Sequence, residues 1–199
     1  MKKKDWKGTS QSVFATMGAS YHSEEEREIN DYYATEPKAV KLLLELEKID
    51  GTIWECACGE GHLSKEMERL GYDVISTDLV WRGYGDGVYD FLDSKNTGKT
   101  NFNIITNPPF IVANDFIKKG IEVLGKGKKM ALFLPIRYLE GKTRGDIFKD
   151  YPPYRIYISR SRLMTAKNGN FNDVHSAVGY AWFVWRDGYK GKTELTWFN

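Results

Sequence analysis

The stretch Asn107-Pro108-Pro109-Phe110 carries the residue types best suited to chemistry in this chain. It follows Phe102 to Thr106, an apolar run that reads as a buried strand. Two successive prolines stop such a strand, because neither has an N–H for the ladder and both fix φ. The stop brings together an amide side chain, backbone carbonyls and an aromatic face. Those groups can grip a planar base that carries an exocyclic amine. The plain alternative is a strand running into a proline-rich turn, and the four residues alone do not separate the two.

A second group of residues could hold a ligand beside that stop. Thr52 to Ala57 reads as a strand, and Cys58-Gly59-Glu60-Gly61-His62 as a glycine-rich turn. A helix follows, with Leu63, Met67 and Leu70 on one face and Gly71 at its end. Asp73 to Asp78 is a second strand, closed by an acid. Glycines let the backbone pass close beneath a ligand, and a strand-terminal acid can accept bonds from both hydroxyls of a ribose. Ser64 stands where the third glycine of the dinucleotide fingerprint would be, which argues against a pyrophosphate cofactor. Asp90 beside Phe91 could bond an adenine amine and pack its ring; an edge-strand acid in a loop is the alternative.

The elements that must position these residues follow from periodicity and punctuation. Thr35 is a candidate N-cap and Pro37 fits the first turn of a helix running to about Leu46. Val88 to Phe91 reads as a short strand and Val112 to Leu124 as a helix. Lys129 to Leu134 is a buried strand ending at Pro135, and Glu140 to Phe148 a polar helix. Three strands follow, at Tyr154 to Ser159, Tyr180 to Trp185 and Lys192 to Phe198. Strands before Pro135 alternate with helices, which signals a parallel sheet. The expected fold is α/β, a doubly wound (Rossmann-like), seven-stranded, mostly parallel sheet with an antiparallel C-terminal hairpin. It occupies residues 31–199 as one domain behind an N-terminal tail, residues 1–30. The loop from about Arg160 to Ala177 is long for a hairpin, and long ordered loops in compact domains are often functional.

Composition narrows the class. With 41% apolar and 28% charged residues among 199, the chain is globular and can bury a core. No apolar run approaches the roughly 20 residues of a membrane span, and the lysines near Met1 precede no apolar segment. The two cysteines, Cys56 and Cys58, sit two apart on the expected first strand, a spacing unsuited to a disulfide. With three histidines in the chain, no metal site is expected. A reduced, cytoplasmic protein is the expectation. Residues 1–100 carry 13 Lys and Arg against 19 Asp and Glu, while residues 101–199 carry 16 against 8. A basic half suggests a polyanionic partner; an unevenly distributed solvated surface would give the same count.

Together these motifs resemble the class I S-adenosylmethionine-dependent methyltransferases, and among them the enzymes that modify adenine N6. The matching pieces are Asp31 to Pro37, Glu55 to Gly61, Asp78, Asp90-Phe91 and Asn107 to Phe110. Small adenine-methyltransferase-like proteins of phages and prophages are similar through Leu139 to Arg144 and Tyr180 to Trp185 as well, so the resemblance covers most of the chain. Ligand motifs before the Asn-Pro-Pro-Phe match the gamma order of DNA adenine methyltransferases.

The resemblance implies S-adenosylmethionine as cofactor. Tyr32, Tyr33, Thr35 and Pro37 would shape its methionine end, and Glu55, Gly59 and Gly61 would hold its amino-acid moiety. Asp78 would take the ribose, and Asp90 and Phe91 the adenine. Asn107 and the carbonyl of Pro108 would accept from the target amine, Pro109 completes the stop, and Phe110 would stack on the base. Phe171 would face its other side. Nucleic acid, with DNA as the expected polymer, would be the substrate. Lys142, Arg144, Arg160, Arg162 and Lys167 are candidate phosphate contacts. The chain departs from sequence-specific relatives in carrying no length for a separate target-recognition domain, which leaves room for a partner subunit. RNA adenine and protein glutamine offer the same kind of nitrogen, and a non-catalytic nucleic-acid-binding module is the third reading. Nothing in the sequence sets the oligomeric state.

Overall fold

A computed structural model describes residues 34–95, 98–161, 163, 165–166 and 178–198. The expected tail, the candidate residues Tyr32, Tyr33, Arg162, Lys167 and Phe171, and most of the loop after Arg160 lie outside the described residues.

The chain order is β1 (Ala34–Thr35), α1 (Pro37–Leu46), β2 (Ile53–Glu55), α2 (His62–Arg69), β3 (Val74–Asp78), β4 (Gly87–Val88) and β5 (Asn103–Thr106). It continues with α3 (Ala113–Val123), β6 (Lys129–Pro135), a 3-10 turn (Ile136–Leu139) and α4 (Lys142–Asp150). The last elements are β7 (Arg155–Ser159), β8 (Thr165–Ala166), β9 (Tyr180–Arg186) and β10 (Glu194–Phe198).

Among the described residues the main sheet has eight strands, in the order β10-β7-β9-β6-β5-β2-β3-β4. β9 alone runs antiparallel, between β6 and β7; the other ladders are parallel. The expected count of seven is therefore corrected to eight. The antiparallel pair β7–β9 is present, but β10 lies outside it, parallel to β7, and forms the edge. β1 and β8 form a separate two-stranded ribbon, with Ala34 opposite Ala166 and Thr35 opposite Thr165.

Each face of the sheet carries its own apolar layer. Ala39, Val40 and Leu43 of α1 and Leu63 and Met67 of α2 pack on Ile53, Ile105 and Phe133. Phe116 and Ile117 of α3 and Ile147 of α4 pack on Ile104, Leu132 and Phe183 across the other face. Consecutive residues of β5 thus face opposite layers, which explains why Asn103–Thr106 is wholly buried. Among the described residues no helix connects β3 to β4 or β4 to β5, so the expected alternation fails there. The glycines and short apolar runs of residues 79–102 supply no helical face.

Three local readings are also corrected. Thr35 lies in β1 and Glu36 occupies the N-cap, with no side-chain cap bond. β2 ends at Glu55, so Cys56 and Cys58 fall in the turn, where both are buried free thiols. β4 ends at Val88, and Asp90 and Phe91 lie beyond it. Among the described residues no helix is long and apolar enough to cross a membrane, and no cluster of three or more metal-binding side chains occurs.

Candidate active site

From β2 the chain builds outward through β3 and β4, then returns to lay β5 on the opposite side of β2. That reversal is a topological switch point, where the carboxyl ends of neighbouring strands open a crevice. A cavity of about 260 Å³ lies there. Its walls hold Glu55 from β2, Asp78 from β3, Asp90 and Phe91 after β4, the whole Asn107 to Phe110 stretch after β5, and Thr35 of β1.

Glu55 is 2% exposed. The Ser64 hydroxyl donates to its Oε2, and Ser76 donates to Ser64 Oγ at 2.7 Å. Ser64 thus has a specific task at the position of the missing glycine: it orients a buried carboxyl. Burial raises the Glu55 pKa from 4.5 to about 8, against the lowering effect of the Ser64 bond. The ligand-free protein therefore holds a protonated acid at neutral pH. The folded chain binds this proton more tightly than the unfolded chain, so the stabilisation is complete below 4.5 and is lost as pH rises through about 8. Glu55→Gln should be more stable than wild type near ~pH 9 and converge with it near ~pH 4, read as urea midpoints along a pH series.

Asp78 is fixed by backbone donors on both oxygens. Gly59 N–H reaches Oδ2 at 2.8 Å and Val80 N–H reaches Oδ1 at 3.0 Å. Each oxygen keeps a further lone pair for a ligand. Gly61 has φ +78°, and a Cβ there would lie 2.2 Å from the Tyr84 ring, so only glycine passes at this point. Burial pushes both thiols up, Cys58 to about 12, and His62 down. The cysteines are neutral, apolar wall members and do not have the thiolate character of a nucleophile.

The other end of the cavity is built by the strand stop. Asn107 Oδ1 is buried at the wall. Pro109 C=O accepts from Val112 N–H at 3.1 Å and closes the turn into α3. The Phe110 ring lies 6.0 Å from Tyr180, which stacks on Phe133 at 5.1 Å. An aromatic row from the core thus holds Phe110 in place. Thr35 Oγ1 is buried on the wall and makes no hydrogen bond among the described residues.

Of the expected site residues, the structure brings Thr35, Glu55, Asp78, Asp90, Phe91 and Asn107 to Phe110 around one cavity. Phe91 is only 4% exposed and also packs edge-on against Trp54, ring centres 5.3 Å apart. Pro37, Gly59 and Gly61 do not form wall. Pro37 starts α1, and the glycines shape a turn whose neighbours Cys58 and His62 do line the cavity. Lys142, Arg144 and Arg160 lie outside it, in α4 and just after β7. The wall also includes Leu79, Arg82, Tyr89, Leu92, Val112 and Phe116, which sequence reasoning missed. Leu79 had a visible signal, an apolar residue directly after a strand-terminal acid. Val112 and Phe116 share a helical face four residues apart.

In fold the chain is similar to solved proteins assigned as class I S-adenosylmethionine-dependent methyltransferases. The structure superposes on a Listeria monocytogenes protein assigned to that class, with TM-score 0.57 and 12% identity over 94% of this chain and 71% of the other. The EcoKI M protein of a type I restriction enzyme gives TM-score 0.55 and 16% identity over 89% of this chain. A Vibrio vulnificus YJ016 protein assigned as a type I modification subunit gives 0.54 and 12% over 94% of this chain. This chain spans 47% and 50% of those two proteins. No family model matches the sequence, and no curated protein matches it either.

Proposed function

We propose that this chain is an S-adenosylmethionine-dependent N-methyltransferase acting on adenine N6 in DNA. One observation carries the reading: Glu55 and Asp78 share a single switch-point cavity with Asn107 and Pro108. The residues present suit the cofactor. Asp78, fixed by two backbone donors, has lone pairs for a ribose diol. Thr35 Oγ1 is a buried group in need of a partner. Glu55 would face the amino-acid end, and Asp90, Phe91 and Leu79 the adenine. When bound, S-adenosylmethionine supplies a methyl group made electrophilic by its positively charged sulfur.

The chain's own work is on the target nitrogen. The lone pair of an aromatic amine is delocalised into its ring and attacks poorly. Asn107 Oδ1 and the Pro108 carbonyl accept its two hydrogens and hold them out of the ring plane, which localises the lone pair. Phe110 supports the base by stacking. Alignment and fixed dipoles then provide most of the acceleration. The alkylated nitrogen is strongly acidic, so its surplus proton leaves to solvent without a dedicated base.

DNA as the polymer is supported by the two type I modification proteins among the structural neighbours and by the basic C-terminal half. Lys142 and Arg144 lie in the first turn of α4, and Arg160 directly follows β7, all on the rim where strands end. Lys142→Ala and Arg144→Ala should each weaken DNA binding without regard to sequence. Each should also reduce the slope of log affinity against log salt by about 1. Fluorescence anisotropy over a salt series reads both effects.

Transfer of labelled methyl to the DNA, RNA and protein fractions of one lysate tests the reading. Label in DNA supports it. Label confined to RNA or to protein glutamine moves the same chemistry to another substrate, and no label with cofactor bound overturns it.

A further inference from the structure

Ile111 is 70% exposed, the most exposed of the large apolar residues described. Its neighbours Phe110 and Val112 both line the cavity, so its backbone runs along the wall while its side chain is exposed. Its backbone is also fixed. Pro108 and Pro109 precede it, Pro109 C=O closes onto Val112 N–H, and Phe116 N–H bonds Val112 C=O at 3.0 Å as α3 begins. An isolated exposed isoleucine on a mobile loop would need no explanation. This one is a rigid apolar prong beside the groups aimed at a base.

The surroundings give the prong a context. Tyr138 OH donates to Asn114 Oδ1 at 3.0 Å and ties the turn after β6 to the start of α3. The next residue, Leu139, is 41% exposed. Arg144 stacks over the Tyr138 ring at 5.0 Å, which brings a guanidinium to the same rim. An apolar tip with a guanidinium on the same rim fits a duplex whose stack has been opened and whose phosphates lie nearby.

We infer that Ile111 is a wedge that fills the gap left in duplex DNA when the target adenine leaves the stack, and that the preferred substrate is therefore double-stranded. The inference rests on the proposed N6-adenine reading. Inside a duplex the target amine cannot reach Asn107 unless its nucleotide is extruded, and extrusion leaves unstacked neighbours that an apolar side chain can cover. Single strands leave no such gap. Ile111 therefore has a distinct signature: it should matter for duplex and be dispensable for single strands.

The test compares methyl transfer by wild type, Ile111→Ala and Ile111→Leu on one DNA, supplied as duplex and as heat-denatured strands. Ile111→Ala is a surface change that should leave the fold intact. It should lower the duplex rate about tenfold or more, change the single-strand rate by about twofold at most, and Ile111→Leu should restore the duplex rate. Equal loss on both forms, no loss on either, or a wild-type preference for single strands overturns the wedge and leaves the N6-adenine reading standing. Cofactor binding with no transfer to either form overturns both.

Discussion

Asn107→Ala should lower single-turnover methyl transfer by roughly 10²–10³-fold, the usual scale for removing one preorganised hydrogen-bonding group from a reacting centre. Cofactor affinity, read by calorimetry, should be unchanged. The separation follows from placement. Asn107 enters the cavity from the β5 side with its amide oxygen buried at the wall. The acids suited to the cofactor enter from β2 and β3. Parallel loss of affinity and turnover would mean that Asn107 holds the cofactor and that its proposed role toward the amine is wrong.

The second large effect lies at the opposite end of the sheet. Glu47, just past α1, is 2% exposed. It accepts from Tyr157 OH at 2.6 Å and from Arg155 at 3.1 Å, and forms an ion pair with Lys129. Arg155 also grips Glu194 of the edge strand at 2.6 Å. One carboxylate thus ties α1 to the amino ends of β6 and β7, and through Arg155 to β10. Glu47→Ala strands two partly buried cations and a buried phenol. Such a loss costs about 3–5 kcal/mol, and the lower end applies because Lys129 and Arg155 reach solvent. The urea midpoint should fall with its slope unchanged, while transfer at low temperature, where the variant is folded, should match wild type. A shift under about 1 kcal/mol would show that solvent already satisfies these groups.

These two sites differ in how far they could be read from sequence. The Asn107 to Phe110 stretch, proposed to meet the amine, is contiguous, so the chemistry it could do is visible in four letters. α1 was equally legible, because Pro37 marks its first turn and its leucines repeat on one face. The Glu47 network was not, since its partners lie 82 and 108 residues away. Pairing order was hidden for the same reason. β10 has ordinary strand composition, and nothing local says that it pairs in parallel beyond β7 and not in a hairpin with β9. Thr35 looked like a helix cap because threonine before proline commonly is one. Its pairing with Thr165 across the chain overrides that preference and turns it to the cavity. Asp78 was a candidate from its strand-end position and Glu55 from the resemblance, but the Ser64 bond to Glu55 appears only once β2, α2 and β3 are packed together.

The central claim is that the Asn107–Pro108 acceptors present an adenine amine to a methyl donor. Mass spectrometry of nucleosides from unmethylated duplex DNA, incubated with the protein and isotopically labelled S-adenosylmethionine, tests it most directly. The account predicts labelled N6-methyl-2′-deoxyadenosine, absent with Asn107→Ala. Label on cytosine or on no nucleoside, from protein shown by calorimetry to bind the cofactor, would contradict it.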